Sequence, residues 1–268
     1  MRSTPYILMA TPLPKLPLSV AIITLNEEDR LPSCLASVAF AEDIVVVDAG
    51  SHDQTLAIAK AHGARTFSRE WRGFGPQKQF AIDQCRKDWV LIVDADEQVS
   101  PTLVEELRQI MAQPVCQAYS IPRQNFFFGR WIRHGGWWPD RTTRLFKRGA
   151  ARMSDRQVHE ALEVEGPVGE LRQPLVHHPF RDLSHLLAKL DHYSSAGARE
   201  MAAQGRRGSI AQAVARAGWA FFYNYLLRGG MFDRGPGLVL AISDAVNVFC
   251  KYVKLAEINR GQGPKSGS

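Results

Sequence analysis

Between Ser19 and Met111 the chain repeats one pattern, a short apolar run followed by a helix-length segment and then another apolar run. That alternation marks βαβ units, because parallel strands need a long crossover and a helix is the usual one. The reading places strands at about 20–25, 44–48, 64–67 and 89–94. Helices are expected at about 31–38, 53–62, 76–85 and 101–111. Ser100 before Pro101 is a good helix start, an N-cap hydroxyl followed by a proline in the first turn. The expected class is therefore α/β, built on a mostly parallel, Rossmann-like sheet.

With 268 residues, 45% of them hydrophobic, the chain can bury a full core as one large domain or as a domain with a helical extension. Residues 1–17 carry Pro5, Pro12, Pro14 and Pro17, and their apolar run from Tyr6 to Ala10 is too short for a signal-peptide core, so a loose leader is expected. The catalytic unit is expected at 18–182. Residues 115–180 turn rich in aromatics, Gly and Arg, the character of a region that builds a site. From 183 to 260 the chain reads as helical, with helices at 184–203, 209–228 and 237–257, and the Gly/Ser/Pro-rich tail 261–268 as disordered. The most nearly membrane-spanning run, 238–250, is broken by Asp244, so any membrane contact is expected to be peripheral. Cys34, Cys85, Cys116 and Cys250 form no CxxC pair, which speaks against a zinc site or disulfide framework and for a reducing cytoplasm. The net charge of +6 suits phosphate-bearing ligands or an anionic membrane. Nothing in the pattern points to nucleic acid.

Three expected strands end in acid or amide groups: Asn26, Glu27 and Glu28 after the first, Asp48 after the second, and Asp94, Ala95 and Asp96 after the fourth, with Glu97 following. In open α/β sheets ligands bind beyond the carboxyl ends of the strands. Three such ends together mark a ligand crevice better than three independent solvated turns, although Asp94-Ala95-Asp96 alone would read as a turn. Paired carboxylate oxygens suit Mg²⁺ or Mn²⁺, which often bind through one or two carboxylates plus substrate phosphates. Asp53 reads equally as an N-cap or as a ligand. No G-x-G-x-x-G follows the first strand and no P-loop is present, so dinucleotide oxidoreductases and P-loop enzymes fit poorly.

The segments VAIITLNEE, VVVDAGSHDQT, FGPQKQFA and LIVDADE, in this order, resemble the family 2 glycosyltransferases of GT-A fold. The later RWIRHGGWWPD, RLFKRG, VHEAL and LVHHPF are similar to the branch of lipopolysaccharide-core β-1,4-glucosyltransferases. Lys78 is followed by Gln79, where the family more often has Asn. The resemblance implies that Thr24, Asn26, Glu27 and Asp48 hold the nucleotide, that Asp94 approaches ribose or metal, and that Asp96 binds the metal bridging the diphosphate. Lys78 would add a fixed charge there, or else lie on a solvated helix face. His177 is a candidate third ligand, the alternative being an imidazole bonded to backbone.

Trp131, Trp137 and Trp138, among Arg130, Arg133 and Arg141, can stack on sugar faces and pair with acceptor phosphates or carboxylates, or can simply pack. Trp137, Trp138 and Arg144 are the acceptor candidates carried forward. Inverting displacement needs a carboxylate base away from the metal. Asp140, Asp155, Glu160 and Glu163 are available, and the resemblance favours Glu160, with Asp140 second and a structural pairing of Glu160 with Arg144 as the plain alternative. The expected partners are a nucleotide diphosphate sugar donor, with glucose as the expected sugar, a lipopolysaccharide-core or related glycolipid acceptor, and an anionic membrane surface at the inner face of a bacterial inner membrane. Transfer to a polyprenyl phosphate, or a noncatalytic sugar-nucleotide or membrane-binding module, are the competing readings.

Overall fold

The computed structural model describes residues 14–154 and 162–261. Strands β1 (Leu16–Thr24), β2 (Ala41–Asp48), β3 (Arg65–Ser68) and β4 (Trp89–Ile92) alternate with helices α1 (Leu31–Ser37), α2 (Thr55–Ala61) and α3 (Phe74–Asp83). They pair in parallel in the order β3-β2-β1-β4. β1 is buried along nearly its whole length, as a strand covered on both faces by crossover helices must be. It begins at Leu16, itself 4% exposed, so the expected leader boundary at residue 17 is corrected: Leu16 already packs in the core. After β5 (Glu97–Val99), helix α4 (Pro101–Ala112) starts as its sequence predicts, with the Ser100 hydroxyl accepting from Leu103 N.

The second half of the sheet is mixed. β6 (Ala118–Phe127) receives the short β7 (Arg130–Trp131) along its edge, and β8 (Asp140–Lys147) runs antiparallel to both β4 and β6. The β6–β8 register passes from Tyr119 opposite Leu145 to Ser120 opposite Thr143. Arg144 is thus the extra residue of a bulge, a device that re-aims a side chain. Strands β9 (Ala151–Met153) and β10 (Leu162–Val164) pair with each other, on either side of residues 155–161. β11 (Val168–Glu170) lies along β6, and β12 (Leu175–His177) sits between β6 and β5. Two hydrophobic clusters cover the sheet, one gathering Leu31, Leu35, Leu103 and Leu107 and the other Ala81, Ile82, Phe146 and Met153. This is the mixed α/β architecture that the sequence pattern and resemblance imply.

Helices α5 (Leu183–Ala203), α6 (Ile210–Phe222) and α7 (Arg234–Gly261) form the C-terminal part, α6 continuing into a π turn at Tyr223–Leu227 and a 3-10 turn at Gly230–Asp233. Asp182 and Ser209 cap α5 and α6 through their side chains, each such cap contributing about 1 kcal/mol. A Cβ on Gly237 would lie 2.0 Å from Gly230 O, so α7 approaches the 3-10 turn as only glycine permits. Buried Asp233 accepts from Arg133 N, His134 N and the His134 ring, which docks this part onto the loop after β7. Among the described residues no helix is long and apolar enough to cross a membrane.

Asp244, which interrupts the longest apolar run, accepts from Asn224 Nδ2 inside this helical part, and burial pushes its carboxyl up from 3.8 to about 6. An acid raised in the folded state stabilises the fold while protonated. The contribution is complete below about pH 4 and is lost as pH rises through about 6. We expect Asp244→Asn to melt close to the parent at pH 4.5 and to be more stable at pH 8, by on the order of 1–3 kcal/mol. Melting curves at the two pH values check this, and a difference that does not change with pH would refute it.

Candidate functional site

A cavity of about 570 Å³ opens at the carboxyl ends of β1 and β4. At the β1 end the Thr24 hydroxyl donates to Asp48, and Thr24 and Glu27 line the cavity. Fully buried Asp48 accepts from Gly50 N and Ser51 N, and Asn26 accepts from His52 N while its own N–H donates to Ser51. These two side chains hold the loops that form the wall. Gly50, at φ +99°, supplies the left-handed residue that this loop requires. Asp53 accepts from Thr55 N and Glu28 N in the turn before α2, whose N-cap position is held by Gln54. Burial pushes the Glu27 carboxyl up to about 6, against the pull of Arg181 at 2.7 Å.

At the β4 end, Asp94 pairs with Lys78 at 2.7 Å and with Arg144, which also reaches Glu97 at 2.7 Å. Burial alone would raise the Asp94 carboxyl, but Arg144 and Lys78 together hold it well below the usual carboxylate range. Glu97, wholly buried, accepts from Asp94 N and so fixes the turn that carries both aspartates.

Asp96 is left facing His177, 3.6 Å from its Nε2, with Arg30 at 3.5 Å. Burial opposes ionisation of Asp96, and the hydrogen bond and charge of His177 outweigh it, so the carboxyl lies below its ordinary value. β12 brings His177 there by pairing it with Glu97 on one side and Asn125 on the other. Asn125 Nδ2 donates to Trp137 O and to Asp140, so its Oδ1 is turned to His177 Nδ1, 2.6 Å away, and can only accept. Nδ1 therefore carries a hydrogen in either protonation state, and Nε2 is the atom presented to Asp96.

The model of the family described as Glycosyl transferase family 2 matches residues 19–162. The chain is a family 2 glycosyltransferase. Among curated relatives it is 32% identical to the lipopolysaccharide core biosynthesis glycosyltransferase LpsC of Rhizobium meliloti (strain 1021), over 91% of this chain and 93% of that protein. An uncharacterized glycosyltransferase of Rickettsia bellii (strain RML369-C) is 28% identical over 94% of this chain and 90% of the relative. Among solved structures, glucosyl-3-phosphoglycerate synthase from Mycobacterium tuberculosis, in complex with Mn²⁺, UDP and glucosyl-3-phosphoglycerate, gives 25% identity and a TM-score of 0.35 over 41% of this chain and 44% of that one.

In this glycosyltransferase the cavity gathers Lys78, Asp94, Asp96, Trp137, Asp140 and His177 from the expected site residues, besides Thr24 and Glu27. Three of the expected residues already have partners within the fold. Arg144 is 4% exposed and pairs with Asp94 and Glu97 from behind the first cavity. Trp138 packs edge-on against Trp131 at 5.2 Å and does not line the cavity. Asp94, expected at ribose or metal, has one oxygen on Lys78 and the other on Arg144. Glu160 and Asp155 lie outside the described residues.

Sequence reasoning missed the contribution of α5 and the segment before it, since Phe180 of that segment and His185, Lys189 and Tyr193 of α5 line the same cavity. Arg181 straps this segment to the loop after β1 through Asn26 O, Glu27 and Asp29. It also missed Asn125 and Arg123, whose signal was a polar stretch, Arg123-Gln124-Asn125, inside an otherwise apolar strand. Gln79, the departure from the family pattern, accepts from Met153 N and ties α3 to the β9–β10 hairpin.

Among the described residues no three His, Cys, Asp or Glu side chains group as a metal site. The pair that does converge, Asp96 and His177, fits a divalent ion that completes its shell with substrate phosphates and water. The bond from His177 Nδ1 to an amide oxygen is the outer contact a ligating histidine needs.

Proposed function

We propose that this glycosyltransferase is an inverting enzyme that moves a sugar, glucose being the first candidate, from a nucleotide diphosphate donor to a lipopolysaccharide-core or related glycolipid acceptor. The observation that carries the reading is the Asp96–His177 pair, two candidate ligand atoms 3.6 Å apart, with the imidazole oriented by Asn125. Mg²⁺ or Mn²⁺ held there would neutralise the charge that develops on the leaving diphosphate. Thr24 and Glu27, on the wall that Asp48 and Asn26 brace, would receive the nucleoside, and Lys78 would meet its phosphates. Trp137, which also lines the cavity, would stack on a sugar face. The relationship to LpsC supports the acceptor class.

The site is proposed to work at the cytoplasmic face of the inner membrane, with the C-terminal helices on the lipid. Trp219, Leu227 and Phe232 are each about 60% exposed, with Phe222, Tyr223 and Leu226 beside them, too much apolar surface for a helix serving only the core. Residues 184–260 carry ten Lys or Arg against five Asp or Glu, the charge that favours anionic headgroups.

One assay tests both statements: nucleotide sugars incubated with vesicles containing anionic lipid and bacterial glycolipid extract, with and without Mn²⁺, read for nucleotide release and for flotation of the protein. Mn²⁺-dependent release and co-flotation that weakens with salt are expected. No release from any nucleotide sugar defeats the transferase chemistry, and release without flotation removes the membrane role alone.

A further inference from the structure

A second cavity, of about 390 Å³, lies beside the first and shares Lys78, Asp94 and Arg123 with it. β8 forms one side with Arg141, Thr142, Thr143 and Arg144, while Met153 and Leu162 of the β9–β10 hairpin form another. Four of its lining side chains are cationic and one, Asp94, is acidic. Three further carboxylates reach these arginines from outside the lining: buried Glu97 pairs with Arg144 at 2.7 Å and Arg123 at 3.8 Å, Asp140 with Arg123 at 2.7 Å, and exposed Glu170 with Arg141 at 3.4 Å. Two donors are left over, since Arg123 Nε and Arg144 Nε are buried without a hydrogen-bond partner among the described residues. Arg144 is itself 4% exposed, and the bulge in β8 is what turns it inward. Buried N–H groups are nearly always satisfied, so two lining arginines whose guanidinium groups keep an unpaired donor point to a ligand that accepts from them.

We infer that this cavity binds the acceptor, and that the acceptor sugar carries an anionic group, a phosphate or a carboxylate. Guanidinium forks match the planar or tetrahedral oxygens of such groups. The volume falls in the range of small-ligand sites, roughly 300–1,000 Å³. The shared wall of Lys78 and Asp94 sets a ligand here directly beside the proposed donor, as group transfer between two bound molecules requires. The inference rests on the transferase reading above and adds to it the charge class of the acceptor.

The test is calorimetric titration of the full chain with glucose 6-phosphate, galacturonate and galactose, after UDP and Mn²⁺ have been titrated and the first cavity filled. Both charged sugars are expected to bind at least about tenfold more tightly than galactose. Arg141→Gln should bring the three within about threefold of one another with UDP affinity unchanged. Thr143→Val, less disruptive still, should narrow the gap part of the way. Equal binding of the three sugars to the parent, or no binding of either charged sugar, overturns the inference. So does a preference that survives both substitutions. Failure of UDP and Mn²⁺ to bind would instead count against the donor reading, and the sugar titrations would still report on this cavity. A preference for only one of the two charged sugars identifies the group.

Discussion

Asp96→Ala is expected to lower transfer by about 10²–10⁴-fold while the fold survives, because a cation at the leaving diphosphate supplies several kcal/mol in the transition state and each 1.36 kcal/mol is a factor of ten. Asp96 accepts no strong internal bond that the fold would miss: Arg30 stands at 3.5 Å and His177 at 3.6 Å. Asp94, by contrast, holds Lys78 and Arg144, so Asp94→Ala would leave the buried guanidinium with Glu97 alone and is expected to cost stability as well as activity. Turnover and melting temperature measured together separate the two cases. His177→Ala should raise the Mn²⁺ concentration needed for half-maximal rate without matching the loss at Asp96. Full activity of Asp96→Ala, or undiminished activity of the parent in EDTA, would remove the metal from the mechanism.

The sequence was most informative where local chemistry and fold agree. The four parallel strands and their helices follow from an apolar alternation that leaves little choice, and the Ser100–Pro101 start of α4 needs no tertiary help. The carboxylates at the strand ends were legible as a group because open sheets expose those ends. What sequence could not divide was the labour among them. Asp94 and Asp96 are two residues apart and chemically identical, yet one is neutralised by cations from α3 and β8 while the other faces a histidine from β12. That difference comes from long-range pairing, as does the burial of Arg144, which depends on a one-residue bulge between β6 and β8. The role of Lys189 was hidden for the same reason: it lies on α5, outside the family motif, and reaches the cavity because Arg181 straps that segment across the β1 end. Burial lowers the Lys189 ammonium from its ordinary range, although the acids facing it, Asp96 first, oppose that shift.

Glu160→Gln is expected to reduce transfer by about 10²–10⁴-fold while leaving donor and metal binding near the parent values, the loss a general base contributes when its basic group is removed at constant size. The assignment stands on sequence order, since Glu160 lies outside the described residues and follows RLFKRG where the resemblance places the base. The structure weighs on the rival. Asp140 Oδ2 already accepts from Arg123 at 2.7 Å and from Asn125 at 3.2 Å, and Asn125 in turn fixes His177. Its work is therefore to hold the partner that orients a proposed metal ligand. Asp140→Asn should act through that chain, weakening Mn²⁺ affinity by about 10–100-fold, with much of the rate recovered at saturating metal. Three readouts separate the cases for each amide variant: transfer rate at saturating Mn²⁺, UDP affinity, and the pH profile of transfer. Loss of the acidic limb of the profile is expected only in Glu160→Gln. Should Asp140→Asn lose that limb and stay inactive at any Mn²⁺ concentration while Glu160→Gln turns over normally, the base is Asp140.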